Sequence, residues 1–117
     1  MCTGTRYFEN LVDESGETLD EQFMNLSRRY MKTNCACFTP NTGRIDDILR
    51  MVDEYQVDGV IEIILQACHT YNIESHYVKQ TVTNKGKSYL MIETDYSQAD
   101  KGQIRTRLEA FLETLEK

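Results

Sequence analysis

The feature that most constrains the fold is the run Val60-Ile61-Glu62-Ile63-Ile64-Leu65. Five of its six residues are apolar and four are β-branched. It is far shorter than the roughly 20 apolar residues that span a bilayer, and β-branched side chains crowd a helix. A nearly continuous apolar run predicts a strand buried on both faces, as in the parallel sheets of α/β proteins. Asp58-Gly59 makes the turn into it, and Gln66-Ala67-Cys68-His69-Thr70 ends it.

The flanking sequence fits such a sheet. Thr18-Leu19-Asp20-Glu21 is a capping-box pattern, and Leu19, Phe23, Leu26 and Tyr30 recur at helical spacing, predicting a helix over 19–32. Cys35-Ala36-Cys37-Phe38-Thr39-Pro40-Asn41 reads as a brief strand running into a loop. Ile45, Ile48, Leu49 and Val52 predict a helix over 42–55. A third helix is expected from Asn72, with Ile73, Tyr77, Val78 and Val82 facing inward and Gly86 as its C-cap. Ser88 to Glu93 reads as a second strand. Asp100 with Gln103 forms another capping-box pattern before a last helix over 101–116. The alternation predicts one α/β domain over 1–117, with parallel βαβ units in three layers and right-handed connections. Two or three strands make a narrow sheet for four helices. Cys2-Thr3-Gly4-Thr5 reads like a strand exit without its strand, so a C-terminal piece of a larger protein is expected.

Composition excludes several classes. The net charge of -6 opposes binding to nucleic acid or an anionic membrane, which needs a basic face. The first residues carry no apolar stretch for a secretory signal, so a cytoplasmic, reducing setting is expected and disulfides are not. Among the four cysteines, Cys2, Cys35, Cys37 and Cys68, the one close pair is Cys35-Ala36-Cys37, while His69 and His76 lie well downstream. That spacing does not make a zinc site. A cysteine can equally be a small buried hydrophobe.

Ligands of open parallel sheets bind outside the carboxyl ends of the strands, and three polar clusters fall there. Cys68-His69-Thr70-Tyr71-Asn72 joins a strand to a helix N-terminus, where a thiolate is favoured as nucleophile or metal ligand. Thr94-Asp95-Tyr96-Ser97 follows the second strand. The loop before Arg44 offers a helix N-terminus and a guanidinium to an anion. Each also has a plain reading: Asp95 as a loop cap, Arg44 as an ion-pair partner, and His76 on a solvated face.

Four segments together are similar to one family. Cys2-Thr3-Gly4-Thr5-Arg6-Tyr7-Phe8, the Cys35 to Asn41 segment, Gln66-Ala67-Cys68-His69-Thr70-Tyr71-Asn72-Ile73-Glu74 and Glu93-Thr94-Asp95-Tyr96-Ser97-Gln98-Ala99-Asp100 resemble the 2-hydroxyacyl-CoA dehydratase subunits. That group includes benzoyl-CoA reductase B/C-type subunits and double-cubane cluster proteins. The resemblance covers essentially the whole chain as the C-terminal third of a longer subunit. It implies a half domain of Rossmann or flavodoxin type. It also implies a [4Fe–4S] cluster held by three cysteines, of which Cys68 is the last; the other two lie upstream of Met1. Thr70 matches a hydroxyl residue near the substrate. His69, Asn72 and Asp95 are candidates around the ligand, and Arg44 is a candidate anion contact; Cys35 and Cys37 are not assigned as ligands.

The resemblance further implies an oxygen-sensitive lyase acting on an (R)-2-hydroxyacyl-CoA. A separate ATP-hydrolysing iron–sulfur activator injects one electron, the thioester becomes a ketyl radical anion, hydroxide leaves, and the β-proton becomes acidic. The product is the 2-enoyl-CoA, and a second subunit completes a heterodimer. Two alternatives stand beside this reading: a benzoyl-CoA reductase-like or double-cubane reductase subunit, and a truncated, non-catalytic α/β module without a cluster. The 117-residue chain by itself is not expected to be active, because one thiolate does not hold a four-iron cluster.

Overall fold

The computed structural model describes residues 12–32 and 34–116, so Cys2 and its motif lie outside the described residues. The elements in order are α1 (Leu19–Met31), α2 (Thr42–Glu54), β1 (Gly59–Leu65), α3 (His69–Asn84), β2 (Ser88–Thr94) and α4 (Lys101–Leu115). The architecture is α/β, with four helices and a two-stranded parallel sheet. No helix among the described residues is long and apolar enough to cross a membrane. The chain divides into two units, Met1–Arg44 and Ile45–Lys117.

In the N-terminal unit, α1 begins at the capping box its sequence announces. Thr18 Oγ1 accepts the Glu21 N–H at 3.2 Å, and Glu21 Oε2 accepts the N–H groups of Thr18 and Glu17, each at 3.0 Å. These bonds, led by that from the Thr18 backbone, lower the Glu21 carboxyl below its ordinary value of 4.5. The carboxylate therefore supports the folded cap above that value, and the support is lost as pH falls through the lowered pKa. Acid titration followed by NMR should show the Glu17 and Thr18 amide signals moving together below pH 4.5, and staying still in Glu21→Gln.

The apolar stripe of α1 is exposed at Leu19, Phe23 and Tyr30. The brief strand expected between Cys35 and Asn41 does not form. Turns occupy that segment, with the Phe38 N–H donating to the Cys35 carbonyl at 3.0 Å. The Asn41 side chain also donates to the Asn34 carbonyl at 3.4 Å, so local turn bonds take the place of a ladder.

In the C-terminal unit, β1 and β2 pair in parallel register from Gly59 opposite Ser88 to Leu65 opposite Thr94. Both α3 and α4 pack on this ribbon. The core holds Val52, Ile64, Val78, Val82, Ile92 and Phe111. Glu62 is buried among them and accepts the Tyr89 hydroxyl at 2.5 Å. A Cβ on Gly59 would lie 2.7 Å from Phe111 Cζ and 3.1 Å from Leu115 Cδ2, so glycine is what lets α4 close over the start of β1.

Three expectations are corrected here. β1 is not buried on both faces: Glu62 and Ile64 are buried, whereas Ile61, Ile63 and Leu65 are exposed. On α3 the inward stripe is Ser75, Val78 and Val82, while Ile73 and Tyr77 face solvent; the residues 75, 78 and 82 follow the same helical spacing with a polar member. Asp100 precedes α4 without a side-chain cap bond, although the Ile104 N–H donates to its carbonyl at 2.9 Å.

Candidate functional site

β1 carries the chain to the carboxyl edge of the sheet, where a tight turn leads into α3. The Gln66 N–H still donates to the Thr94 carbonyl at 2.8 Å, so pairing with β2 persists to that point. Ala67 then adopts a left-handed conformation, with φ of 65°. The Cys68 N–H turns back to the Leu65 carbonyl at 3.0 Å. For a residue with a Cβ this conformation costs about 1–2 kcal/mol. A β-branched side chain fits it worse, so Ala67→Val should lower stability by about 1–3 kcal/mol in urea denaturation, while Ala67→Gly should be tolerated.

Cys68 is the N-cap of α3, and the Asn72 N–H donates to its carbonyl at 3.0 Å. The helix therefore starts at His69, three residues before the Asn72 expected from the sequence. That shift puts His69, Thr70 and Asn72 in or beside the first turn, with Cys68 at its head. The Cys68 side chain is half-buried and makes no cap bond. Its Sγ lies 3.9 Å from Thr70 Oγ1. Asn72 reaches across to β2, where its Nδ2 donates to Glu93 Oε2 at 3.2 Å. Glu93 lies opposite Ile64 in the register. Glu93 stands in the fourth family-like segment but not among the candidate residues, although a carboxylate next to the end of the second strand is the signal that could have found it.

Asp95 serves its own loop. Its Oδ1 accepts the Ser97 N–H at 2.6 Å. Hydrogen bonding from Ser97, through side chain and backbone, lowers the Asp95 carboxyl below the ordinary range. It is an ionised turn former at the exit of β2. His69 is exposed in the first turn of α3. In the N-terminal unit, Arg44 is buried in the first turn of α2, Cys35 is half-buried and Cys37 exposed. Among the described residues, no group of three or more His, Cys, Asp or Glu side chains is gathered around a metal position.

A parallel βαβ unit with a half-buried cysteine at its carboxyl edge defines an α/β module of the kind that carries its chemistry beyond the strand ends. The chain belongs to the family of the 2-hydroxyglutaryl-CoA dehydratase D-component, whose model matches residues 1–115. It is 45% identical over 115 residues to YjiM of Escherichia coli (strain K12), assigned provisionally as a dehydratase subunit. That match covers 97% of this chain and 29% of the relative. It is 26% identical over 112 residues to the (R)-phenyllactyl-CoA dehydratase beta subunit of Clostridium sporogenes, covering 95% of this chain and 29% of that subunit. The chain thus spans somewhat under a third of the length of these relatives.

Proposed function

We propose that this chain is the part of a 2-hydroxyacyl-CoA dehydratase-like subunit that supplies one thiolate, from Cys68, to an iron–sulfur cluster. The observation that carries the reading is the place of Cys68: half-buried, at the carboxyl edge of a parallel sheet, capping a helix in a chain of this family. The positive end of the α3 dipole lies behind an anionic ligand there. Among the described residues no three His, Cys, Asp or Glu side chains gather around one point, so Cys68 would supply one ligand and the others would come from other parts of the subunit. When bound, the cluster supplies one-electron chemistry, which side chains do not provide.

The chain's own residues then hold and orient. Thr70 places a hydroxyl 3.9 Å from the sulfur, within reach of a substrate oxygen brought to that edge. Asn72, held to Glu93, fixes the first turn of α3 against β2. His69 offers an exposed imidazole in the same turn. The substrate class is an (R)-2-hydroxyacyl-CoA, losing water to give the 2-enoyl-CoA. The assembly includes a second subunit, as the word subunit in both relatives' names supports, and an ATP-dependent activator that delivers the electron.

The test is anaerobic reconstitution with iron and sulfide. It compares the 117-residue chain with a fusion in which this chain replaces the matching stretch of YjiM. The broad visible absorption of a cluster should appear in the fusion and not in the chain alone. A fusion that folds and stays colourless overturns the reading, leaving an α/β module without a cluster.

A further inference from the structure

We propose that the outer edge of β1 and the bare face beside it are a docking surface. The occupant is a third apolar strand with a covering helix, supplied by the portion of a YjiM-like subunit that lies outside the stretch matched here. The occupant's origin rests on the subunit reading above; the surface itself does not.

Three observations carry it. First, one face of the sheet is covered over β2 and bare over β1. Ile63 and Ile92 are register partners, and register partners in a parallel pair share a face. Ile92 is 2% exposed and Ile63 is 68% exposed. Ile61 and Leu65, on the same face as Ile63, are 41% and 44% exposed. The cover is α4, which packs on β2 and meets the start of β1 at Gly59 through Phe111 and Leu115.

Second, β1 offers a backbone edge on the side away from β2. The Gln66 N–H bonds to Thr94 of β2. By alternation, the backbone groups of Ile61, Ile63 and Leu65 point away from β2, toward the outer edge, where the Leu65 carbonyl is already taken by the Cys68 N–H. Among the described residues no strand lies beside them. On the opposite edge, Arg107 Nη2 donates to the Met91 carbonyl at 2.6 Å, occupying an outward group of β2. Edges that stay free in solution are usually guarded by lysine, proline or a bulge. Residues 59–65 contain no lysine, arginine or proline; the inward-turned Glu62 is the one edge-guarding charge they carry, and it leaves the apolar row Ile61, Ile63 and Leu65 exposed. That exposed apolar row is what an interior strand would present to a covering element.

Third, the relatives carry more than twice as many residues outside the match as within it. That is ample chain for a strand and a helix. A shared sheet would also fix the Cys68 turn, which directly follows β1, against the rest of the subunit.

The experiment compares the 117-residue chain with the YjiM fusion, both free of cluster, so its readout is independent of iron chemistry. Backbone hydrogen exchange at Ile61, Ile63 and Leu65 should slow by about tenfold or more in the fusion. Ile63→Lys should shift the melting temperature of the chain by less than about 2 °C, and lower that of the fusion by more than about 4 °C. Tyr77→Lys, on the exposed stripe of α3, should leave both near their starting values. Equal exchange in the two proteins, or a neutral Ile63→Lys in the fusion, overturns the proposal. So does a chain that sediments alone as a dimer with these three amides already protected, which would make a second copy the occupant. A fusion that protects β1 but takes up no cluster leaves the docking surface standing and removes the cluster reading. A fusion that binds a cluster with β1 unprotected does the reverse.

Discussion

Phe111→Ala should cost about 3–5 kcal/mol, the largest loss from one side chain in the C-terminal unit. Phe111 is 8% exposed, and its ring lies over Gly59, at the point where α4 meets the start of β1. Truncation removes the apolar area that seals this junction and leaves a cavity that glycine cannot fill. A domain of this size has a total stability of about 5–15 kcal/mol, so the loss is a large share of it and the urea midpoint should fall steeply. Leu112, its neighbour on α4, is 54% exposed, and Leu112→Ala should change stability by under about 1 kcal/mol. Urea denaturation followed by far-UV circular dichroism compares the two. Equal losses would show that α4 does not pack through Phe111.

That junction also shows what could and could not be read beforehand. Signals confined to one turn were legible. Thr18 and Glu21 announce the cap of α1 and form it. Gly86 announces the end of α3 and adopts φ of 74°, its N–H donating to the Thr83 carbonyl at 2.9 Å while the Lys87 N–H donates to Val82 at 3.2 Å. The βα order and the two parallel strands were legible from the apolar run and the alternation around it.

Features set by tertiary geometry were not legible. Val60 to Leu65 reads as two-sided burial because nearly every side chain is apolar. Only the register with β2 and the short reach of α4 show that one face is bare. The stripe on α3 was misread because Ser75 takes an inward place, its hydroxyl donating to the Asn72 carbonyl at 2.6 Å, while Ile73 and Tyr77 face out. The start of α3 was misplaced because the left-handed residue before it is an alanine, with no glycine to mark the turn. At the candidate site, the place of Cys68 at the carboxyl edge of β1 was legible from its position after a strand. Its hydroxyl neighbour Thr70 came with the same motif, whereas the Asn72–Glu93 link joins residues 21 apart in sequence and needs the sheet to bring them together.

Cys68→Ser should separate stability from cluster binding, because the two respond in opposite directions. In the fold, the Cys68 side chain makes no cap bond, and its Sγ lies 3.9 Å from Thr70 Oγ1. Serine is a preferred N-cap residue, so the substitution should leave the chain as stable as before, or more stable by up to about 1 kcal/mol. For the cluster, the change replaces a soft thiolate with a hydroxyl that is a poor ligand for iron. Altering groups around a metal ligand typically costs about 10–100-fold in affinity, and loss of the ligand itself should exceed that. The reconstituted YjiM fusion should therefore lose most of its visible absorption in Cys68→Ser while its melting temperature holds. Thr70→Val and Asn72→Ala should fall between, retaining absorption but binding iron more weakly. Cys37→Ser, at an exposed turn position in the other unit, should match the unaltered fusion. If Cys68→Ser keeps its full iron content, Cys68 is not the ligand, and its place at the head of α3 is structural; an equal loss in Cys37→Ser would move the thiol chemistry to the Cys35–Cys37 turn instead.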